Sequence, residues 1–452
     1  MSLFHNLSIS EIVGKIKSGD ISAKALAEEV IKKTSAYQEK YKPWRFFDED
    51  KLYNIAVESD LKELHQKQAQ ALQFIPVGVK DIFNTEDFPT EMGSQIWSGY
   101  TPGNDARVVS NLKKNGSVIA GKTVTAEFAV HSLNETINPH DPTRTPGTSS
   151  SGSAVAVALG IIPLSLGTQT GASIIRPASF CGVYGYKPSF GLVPRTGSLK
   201  TCDSLDTIGF FVSKPVDLRR IFDSIRVHGP NYPFSYRALN DTKRQLRVPG
   251  EVWKIGFVKG NTWVGAESYA KNEFEKFVTE ISKNSEEFSV EEIFLPDVFE
   301  EAHMMHSILY NKSLSYYFNS EFKSEKPMSE WLKGIILDGD KTSVDSFKKS
   351  LIYQNLIIKY LDDILKEYDV VLSLSTNSVA PRRGVEELPD PSLVWTMCHV
   401  PALNVPLFKG QDDLPFGLQV FSRKYNDYLL INFVEFMVSH RYFPDRPVSL
   451  KQ

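Results

Sequence analysis

The chain has 452 residues, 41% of them hydrophobic and 23% charged, which is enough for one large domain or two. Its formal net charge of −3 gives no reason to expect nucleic acid or an anionic membrane as a partner. Three widely spaced cysteines favour neither a disulfide framework nor a zinc site, and no apolar run reaches the length of a membrane span, so we expect a soluble, cytoplasmic protein.

The N-terminal segment, residues 8–40, predicts two amphipathic helices. Ser8 and Glu11 form a capping box at the start of the first helix, Gly19 breaks the pattern, and Ser22 caps the second helix. We expect these helices to serve packing and not chemistry.

A short buried strand is predicted at residues 75–79, and Lys80 ends it. A lysine is usually on the surface, but one that follows a run of apolar and glycine residues is drawn inward. An ordinary lysine, with a pKa near 10.4, is about a thousandfold too protonated to act as a base near neutral pH, and burial favours the neutral amine. Lys80 is therefore a candidate proton acceptor.

Residues 105–134 alternate between a helix near 108–114, a strand near 118–120 and a helical start at 127–129. Such alternation favours an α/β sheet with helices on both faces. His131 and His140 lie in polar loops, where histidines are usually solvated, so we expect neither to be a catalytic base.

Two Gly/Ser turns flank an apolar run that predicts a short helix and a buried strand: GTSS at 147–150 and GTQTGAS at 167–173. A Gly/Ser cluster is most often a flexible loop, but this one runs directly into a segment that must be buried. Gly171 allows a positive φ, which lets successive backbone N–H groups point at one spot. Acyl transfer requires at least a nucleophile, such as a serine hydroxyl, beside N–H groups of this kind.

These blocks resemble the amidase signature family, in which a lysine that ends a strand precedes two serine turns. The lysine block is PVGVKD at 76–81, and Ser173 follows Ser149 by 24 residues, as in the family. About half of the chain carries the resemblance, which continues through residues 180–191, 204–209, 401–402 and 415–419. It implies an α/β fold with a central mixed, twisted β-sheet and helices on both faces.

The resemblance also divides the chain into four segments of one compact enzyme domain. They are an N-terminal helical segment (1–60), the catalytic core (61–225), a variable, mainly helical region that shapes the substrate site (226–368) and a C-terminal return to the core (369–452). Within the variable region, one stripe either lines a substrate cavity or packs on the core, and packing is the commoner role: His303, His306, Tyr310, Tyr316 and Tyr317.

Carried over residue by residue, the family mechanism gives catalytic roles to Lys80, Ser149 and Ser173. Neutral Lys80 accepts a proton from Ser149, whose peptide bond would be cis, and Ser149 deprotonates Ser173, which attacks the amide carbonyl. The oxyanion is held by the backbone N–H groups of Thr170, Gly171, Ala172 and Ser173. The implied reaction requires no metal or other cofactor.

The chain departs from the family pattern at several positions. Gln169 replaces the usual acid, Ala172 replaces a glycine, Arg176 stands one position late, and His399 replaces a small residue. Candidate substrate-binding residues are Ser150, Gln169, Arg176 and His399. The residues at 169 and 176 speak against the glutaminase subunit of a tRNA-dependent amidotransferase.

The sequence therefore predicts an amide hydrolase that cleaves the C–N bond of a small carboxamide or urea-like compound. Two alternatives stay open: a glutaminase-type subunit that works with partner chains, and a non-catalytic relative that binds amides. The non-catalytic relative is the less favoured, because a protein that only binds amides does not need a buried lysine amine, which is costly to desolvate. The expected partner is a small-molecule amide, and a homodimer is the assembly left open.

Overall fold

The computed structural model describes residues 2–63, 70–247, 250–324 and 326–450. The strands are β1 (Trp44–Phe47), β2 (Pro76–Lys80), β3 (Val118–Thr123), β4 (Leu164–Gln169), β5 (Tyr184–Lys187), β6 (Thr207–Val212), β7 (Trp253–Phe257), β8 (Phe288–Glu292), β9 (Val370–Leu374), β10 (Ala402–Lys409) and β11 (Pro415–Phe421).

The α-helices are α1 (Leu3–Asn6), α2 (Ile9–Ser18), α3 (Ala23–Tyr41), α4 (Glu49–Glu63), α5 (Arg107–Lys114), α6 (Ser151–Ala158), α7 (Ile175–Cys181), α8 (Leu218–Ile225), α9 (Pro233–Asn240), α10 (Thr242–Gln245), α11 (Ser268–Ser282), α12 (Ala302–Tyr317), α13 (Asn319–Lys323), α14 (Glu330–Lys341), α15 (Val344–Ile364), α16 (Ser392–Met397) and α17 (Asp427–Ser439). Short 3₁₀ helices lie at Gln95–Trp97, Glu127–Ala129, Pro215–Asp217, Trp263–Gly265, Asp297–Glu301, Leu365–Glu367 and Gln411–Asp413.

All eleven of these strands pair in one mixed sheet, in the order β1-β3-β2-β4-β6-β5-β10-β11-β9-β7-β8. Parallel pairs lie toward both ends, where β2 joins β3 and β4, and β7 joins β8 and β9. The strands between them pair in antiparallel fashion. The predicted α/β fold with a mixed central sheet is confirmed.

Helices cover both faces of the sheet, as β9 shows. Successive side chains of a strand point to opposite faces. Val370 and Leu372 pack in the larger hydrophobic core with α11, whereas Val371 packs in a second core with α12, α15 and α16. Within the described ranges, no helix is long and apolar enough to cross a bilayer.

The N-terminal helices form where the sequence predicts them. Ser8 and Glu11 make the reciprocal capping box of α2, Gly19 ends that helix with a φ of 81°, and the Ser22 side chain caps α3. The helical start predicted at 127–129 is instead a single 3₁₀ turn, in which Phe128 and the next residue have positive φ. It does not continue, because a positive φ at these two residues lies outside the right-handed helical region.

Strands come from all four predicted segments of the chain. The N-terminal segment contributes β1, and the variable region contributes β7 and β8, so neither is only helical. These three strands, β1, β7 and β8, belong to the same sheet as the strands of the predicted core. The division into four segments stays a prediction.

The parallel pair β2 and β4 sets the position of the predicted site. Val77, Gly78 and Val79 of β2 pair in register with residues 164–166 of β4. Carboxyl ends of parallel neighbours meet at the same edge of a sheet. Lys80 at the end of β2 therefore comes close to the end of β4, where the second serine turn begins.

Candidate active site

Lys80 lies at the centre of a cluster of hydroxyl groups. Its side chain is fully buried. The Nζ atom lies 2.7 Å from Ser149 Oγ, 3.0 Å from Ser150 Oγ and 2.8 Å from Thr168 Oγ1. The structure thus brings together two of the predicted catalytic residues and Ser150.

Burial lowers the pKa of Lys80 well below its ordinary value, and the negative charge of Asp206 opposes the shift without cancelling it. A buried cation without a carboxylate partner is costly, because hydroxyls supply hydrogen bonds but no compensating charge. The environment of Lys80 therefore favours the neutral amine.

The first serine turn holds Ser149 through its backbone. The Thr148–Ser149 peptide bond is cis, as the resemblance implies. Gly147 precedes it with a φ of 82°, and a Cβ there would lie 2.8 Å from the Cα of Pro177 in α7. Only glycine fits this contact between the turn and the helix.

Arg176, a predicted substrate-binding residue, is buried behind this turn. Its Nη2 donates to the Thr148 carbonyl oxygen at 3.0 Å and to Thr148 Oγ1 at 2.9 Å. Its guanidinium also pairs with Asp390 and lies 3.1 Å from Glu387. These contacts hold the turn in place and leave Arg176 committed to protein groups.

His131 completes the cluster around Arg176. Its Nδ1 lies 2.8 Å from Arg176 Nη2 and 3.0 Å from Thr148 Oγ1. The charge of Arg176, followed by burial, lowers the pKa of His131 to about 3. The imidazole is therefore a neutral hydrogen-bond acceptor for the guanidinium at physiological pH.

The second serine turn presents four backbone N–H groups that have no acceptor among the described residues: those of Thr170, Gly171, Ala172 and Ser173. The carbonyls of this turn are anchored. His306 Nε2 donates to the Thr170 oxygen at 2.9 Å, and Thr396 Oγ1 donates to the Gly171 oxygen at 2.6 Å. Because C=O and N–H of a trans peptide point in opposite directions, these anchors turn the next N–H groups to the other side.

Gln169 shapes the same turn from inside. Its Oε1 accepts hydrogen bonds from the N–H groups of Ile174 and Ile175, at 2.8 and 2.9 Å, and its Nε2 donates to Thr396 Oγ1 at 2.8 Å. The side chain is fully buried. Gln169 is thus committed to the loop, although the sequence suggested a substrate contact.

Ser173 is partly exposed at the end of this turn, just before α7. In the described part of the chain, its hydroxyl makes no hydrogen bond, so Ser149 and Ser173 are not joined by one. The predicted relay therefore has one observed contact, from Lys80 to Ser149, and an uncommitted hydroxyl at Ser173.

His399 lies apart from the Lys80 cluster. Its ring stacks on Phe190 with centroids 4.0 Å apart, and its Nε2 lies 2.7 Å from the Ser204 carbonyl oxygen. Burial and neighbouring cations lower its pKa to about 3. Its side chain contacts Phe190, Ser204, Gln354 and Lys424, and not the serine turns.

Several supporting residues were not identified from the sequence: Thr168, Asp206 and Thr396. Thr168 had a signal, since it lies in β4 one residue before Gln169 in the second turn motif. Asp206 accepts from Thr170 Oγ1 at 2.7 Å, and Thr396 reaches the turn from the far C-terminal region. No local pattern connects such distant segments. Among the described residues, no three His, Cys, Asp or Glu side chains form a group that could hold a metal ion.

Comparison with known proteins yields one family and a set of relatives. The family model Amidase matches residues 25–431. A glutamyl-tRNA(Gln) amidotransferase subunit from Chloroflexus aurantiacus is 34% identical over 276 residues, which is 58% of this chain and 57% of that protein. The match thus spans little more than half of that relative. The corresponding subunit from Anaeromyxobacter sp. is 28% identical over 93% of each chain.

Two solved structures share the fold. One is a chain of a vestigial protein complex that reveals the evolutionary origins of an s-triazine catabolic enzyme; it has a TM-score of 0.87 and 22% identity, and covers 98% of this chain and 100% of its own. The other is a peptide amidase from Stenotrophomonas maltophilia, with a TM-score of 0.80, 21% identity, and coverage of 98% and 99%.

Proposed function

The chain belongs to the amidase family, and on that premise we propose that it hydrolyses the C–N bond of a small carboxamide or urea-like compound. Ser173 is the nucleophile, and Ser149 and Lys80 form the proton relay. The observation that carries the proposal is the 2.7 Å contact between Ser149 Oγ and a fully buried lysine amine. A buried amine with a lowered pKa is the base that a serine needs.

The contacts of Lys80 support one direction of proton transfer. A neutral amine has two N–H donors and one lone pair. Ser150 Oγ donates its own proton to the Thr168 carbonyl at 3.2 Å, so it accepts from Lys80. Thr168 Oγ1 takes the other N–H, and the lone pair is left for the Ser149 hydroxyl.

The reaction then follows in two halves. Ser149 passes its proton to Lys80 and takes the proton of Ser173, whose Oγ forms a bond to the substrate carbonyl carbon. The free N–H groups of residues 170–173 stabilise the oxyanion, and Ser149 gives a proton to the leaving nitrogen as the C–N bond breaks. Water attacks the acyl-enzyme by the same relay and releases the acid.

A fluorophosphonate probe tests the nucleophile directly. We expect wild type to be labelled at Ser173, with the modified peptide identified by mass spectrometry, and Lys80→Met and Ser173→Ala to lose the label. Ser153→Ala is the matched control, because Ser153 is buried in α6 and bonds the Leu166 carbonyl, outside the relay. Circular dichroism checks that each variant folds. Full labelling of folded Lys80→Met would overturn the relay.

The named relatives favour a second candidate, a glutaminase-type subunit. Glutamyl-tRNA(Gln) amidotransferase subunits match most of the chain at 28–29% identity. Ammonia release from glutamine and from simple amides, by the chain alone and with proteins that copurify, separates the two candidates. Turnover of amides by the isolated chain supports the hydrolase. Glutamine turnover that appears only with a partner supports the glutaminase-type candidate.

A further inference from the structure

Helix α15 leaves an apolar stripe on its outer face uncovered. Ile352, Leu356 and Tyr360 follow one another at intervals of four residues, so they lie on the same face of the helix. They are 69%, 43% and 45% exposed. Single exposed apolar residues are normal, whereas a row of large ones on one face is typical of an interaction surface.

The opposite face of α15 is committed to the fold. Gln354 Nε2 donates to the carbonyl oxygens of Ser204, at 3.1 Å, and Met397, at 3.2 Å. Ile357 and Leu361 pack in the second hydrophobic core. The helix therefore cannot turn its stripe inward without breaking these contacts, and a group that covers the stripe has to come from outside the described residues.

The two ends of the stripe carry opposite charges. Lys348 and Lys349 are exposed before the stripe, and neither forms an ion pair with a described residue. Asp363 is exposed after it and lies 2.6 Å from Lys366. Because that ion pair is itself exposed, it contributes little and leaves the carboxylate accessible to a second cation.

This face is complementary to itself in the antiparallel orientation. In an antiparallel pair of α15 helices centred on Leu356, residues that lie equally far before and after Leu356 meet. Leu356 then faces Leu356 of the second copy, Ile352 faces Tyr360, and Lys349 faces Asp363. In a parallel pair, each charge would face its own kind. The charges therefore select a two-fold, isologous contact.

The other charges near the stripe do not oppose this pairing. Lys359 lies to one side of the stripe and comes closest to Ile352 of the second copy, which has no charge. Asp345, at the start of α15, faces the 3₁₀ turn that follows the second helix. Lys366 and Glu367 in that turn have opposite charges, so their effects on Asp345 largely cancel.

We propose that the exposed face of α15 is the interface of a two-fold homodimer, in which the stripes of two copies pack antiparallel around Leu356. A single pair of helix faces falls below the ~1,200 Å² at which standard interfaces begin. The expected dimer is therefore weak, with a Kd on the order of 10–100 µM. The proposal does not depend on acyl transfer at Ser173.

Sedimentation equilibrium of the full-length chain tests the dimer. We expect a monomer–dimer equilibrium between ~5 and ~500 µM, a range that brackets the expected Kd. Leu356→Glu places two like charges at the two-fold axis and should weaken the dimer at least ~10-fold. Leu337→Glu is the matched control, because Leu337 is 46% exposed but lies on α14, and it should leave the equilibrium unchanged. Circular dichroism checks that each variant folds.

Charge reversal tests the register of the two helices. Lys349→Asp and Asp363→Lys, each alone, should weaken the dimer about 2- to 30-fold in ~50 mM salt, because each breaks two symmetry-related ion pairs. The double variant should recover the wild-type Kd. Within one chain the two positions are about 21 Å apart along the helix, so recovery can only come from contact between copies.

Three results would overturn the proposal. They are a chain that stays monomeric at ~500 µM, far above the expected Kd, a dimer that Leu356→Glu leaves unchanged, and a double variant that does not recover. Co-sedimentation with vesicles of phosphatidylserine and phosphatidylcholine identifies the other occupant of such a face. Vesicle binding by a monomeric chain that Leu356→Glu abolishes would assign the stripe to a membrane surface and reject the dimer.

Discussion

Three buried lysines differ in the chemical groups that their amines contact. Lys80, Lys122 and Lys187 are each fully buried at or near the end of a strand. Lys122 pairs with the Asp81 carboxylate at 2.9 Å, and Lys187 donates to backbone carbonyls. Lys80 contacts only hydroxyls. Of these three lysines, Lys80 is therefore the one whose neutral amine lies next to hydroxyl groups with which it can exchange a proton.

The buried amine predicts a pH-dependent stability difference between wild type and Lys80→Met. Burial lowers the pKa of Lys80 in the folded state. Between that lowered pKa and the unfolded value near 10.4, the unfolded chain binds one more proton, so stability rises with pH in wild type. We expect the wild-type free energy of unfolding to gain about 1.4 kcal/mol per pH unit over the variant across this window, measured by urea unfolding. Parallel pH profiles would contradict a neutral Lys80.

Thr396 predicts a positioning effect on the second serine turn. Thr396→Val keeps the shape but removes the donor to the Gly171 carbonyl and the acceptor for Gln169. We expect fluorophosphonate labelling of Ser173 to slow about 10- to 100-fold, somewhat less than the loss of an oxyanion donor itself. Thr396→Ser should restore most of the rate. Equal rates in both variants would mean that the turn holds its shape without this hydroxyl.

At the scale of elements, α6 and α7 carry the two turns and pack closely on their surroundings. α6 is buried along its whole length and starts directly after Ser150. A Cβ on Gly152 would lie 2.4 Å from the Pro43 oxygen and 2.5 Å from the Val124 nitrogen, both backbone atoms. The first turn therefore continues directly into a helix that packs against the backbone of two other segments, and the Gly152 N–H donates to the Val124 oxygen at 3.1 Å.

Gly152 and Gly14 form a matched pair of helical glycines with opposite expectations. Gly152→Ala should destabilise the protein by at least about 1–3 kcal/mol, because backbone must shift to admit the methyl group. Gly14→Ala, on an exposed position of α2 with no atom within 4 Å of its Cβ, should stabilise by about 0.5–1 kcal/mol through helix propensity. Urea unfolding midpoints measure both. A Gly152→Ala variant as stable as wild type would contradict the packing of α6, and a destabilised Gly14→Ala variant would contradict the open space around Gly14.

The sequence anticipates the local parts of the site better than its supports. The helix after the first serine turn follows from the residues of that segment, and the contact of Lys80 with Ser149 and the cis peptide agree with what the family resemblance implies. Asp390 and Thr396 could not be assigned in the same way, because they meet Arg176 and Gly171 from more than 200 residues away in the chain. The surroundings of His399 are inaccessible to sequence reasoning for the same physical reason: its type departs from the family pattern, but its contacts with Phe190 and Ser204 are known only from the fold.

At the scale of the whole molecule, the sheet interleaves early and late parts of the chain. β5, from the predicted core, pairs with β10 from the C-terminal return, and β9 connects that return to β7. Strands from before and after residue 225, where the predicted core ends, therefore pair with each other in one sheet. The supports of both serine turns also cross this point, through Asp390 and Thr396.

This interleaving predicts that residues 61–225 do not fold alone. Without β10, the edge of β5 exposes unpaired backbone groups, and Arg176 loses the Asp390 carboxylate that compensates its buried charge. We expect a fragment of residues 61–225 to lack a cooperative thermal transition by circular dichroism and to show no labelling at Ser173, with the full chain as control. Cooperative unfolding together with labelling would establish the predicted core as an independent domain.

Helix α16 places two neighbouring residues in different compartments. Trp395 lines a cavity of about 350 Å³ at the ends of β7, β8 and β9, and Thr396 holds the Gly171 carbonyl of the second serine turn. A ligand that binds one arrangement of α16 more tightly than another changes the affinity of the second serine turn for its own ligand. By thermodynamic linkage, the ligand of the turn changes the affinity of the first ligand by the same factor. Because α16 has only six residues, a movement of Trp395 would also move Thr396 and the Gly171 carbonyl that it holds.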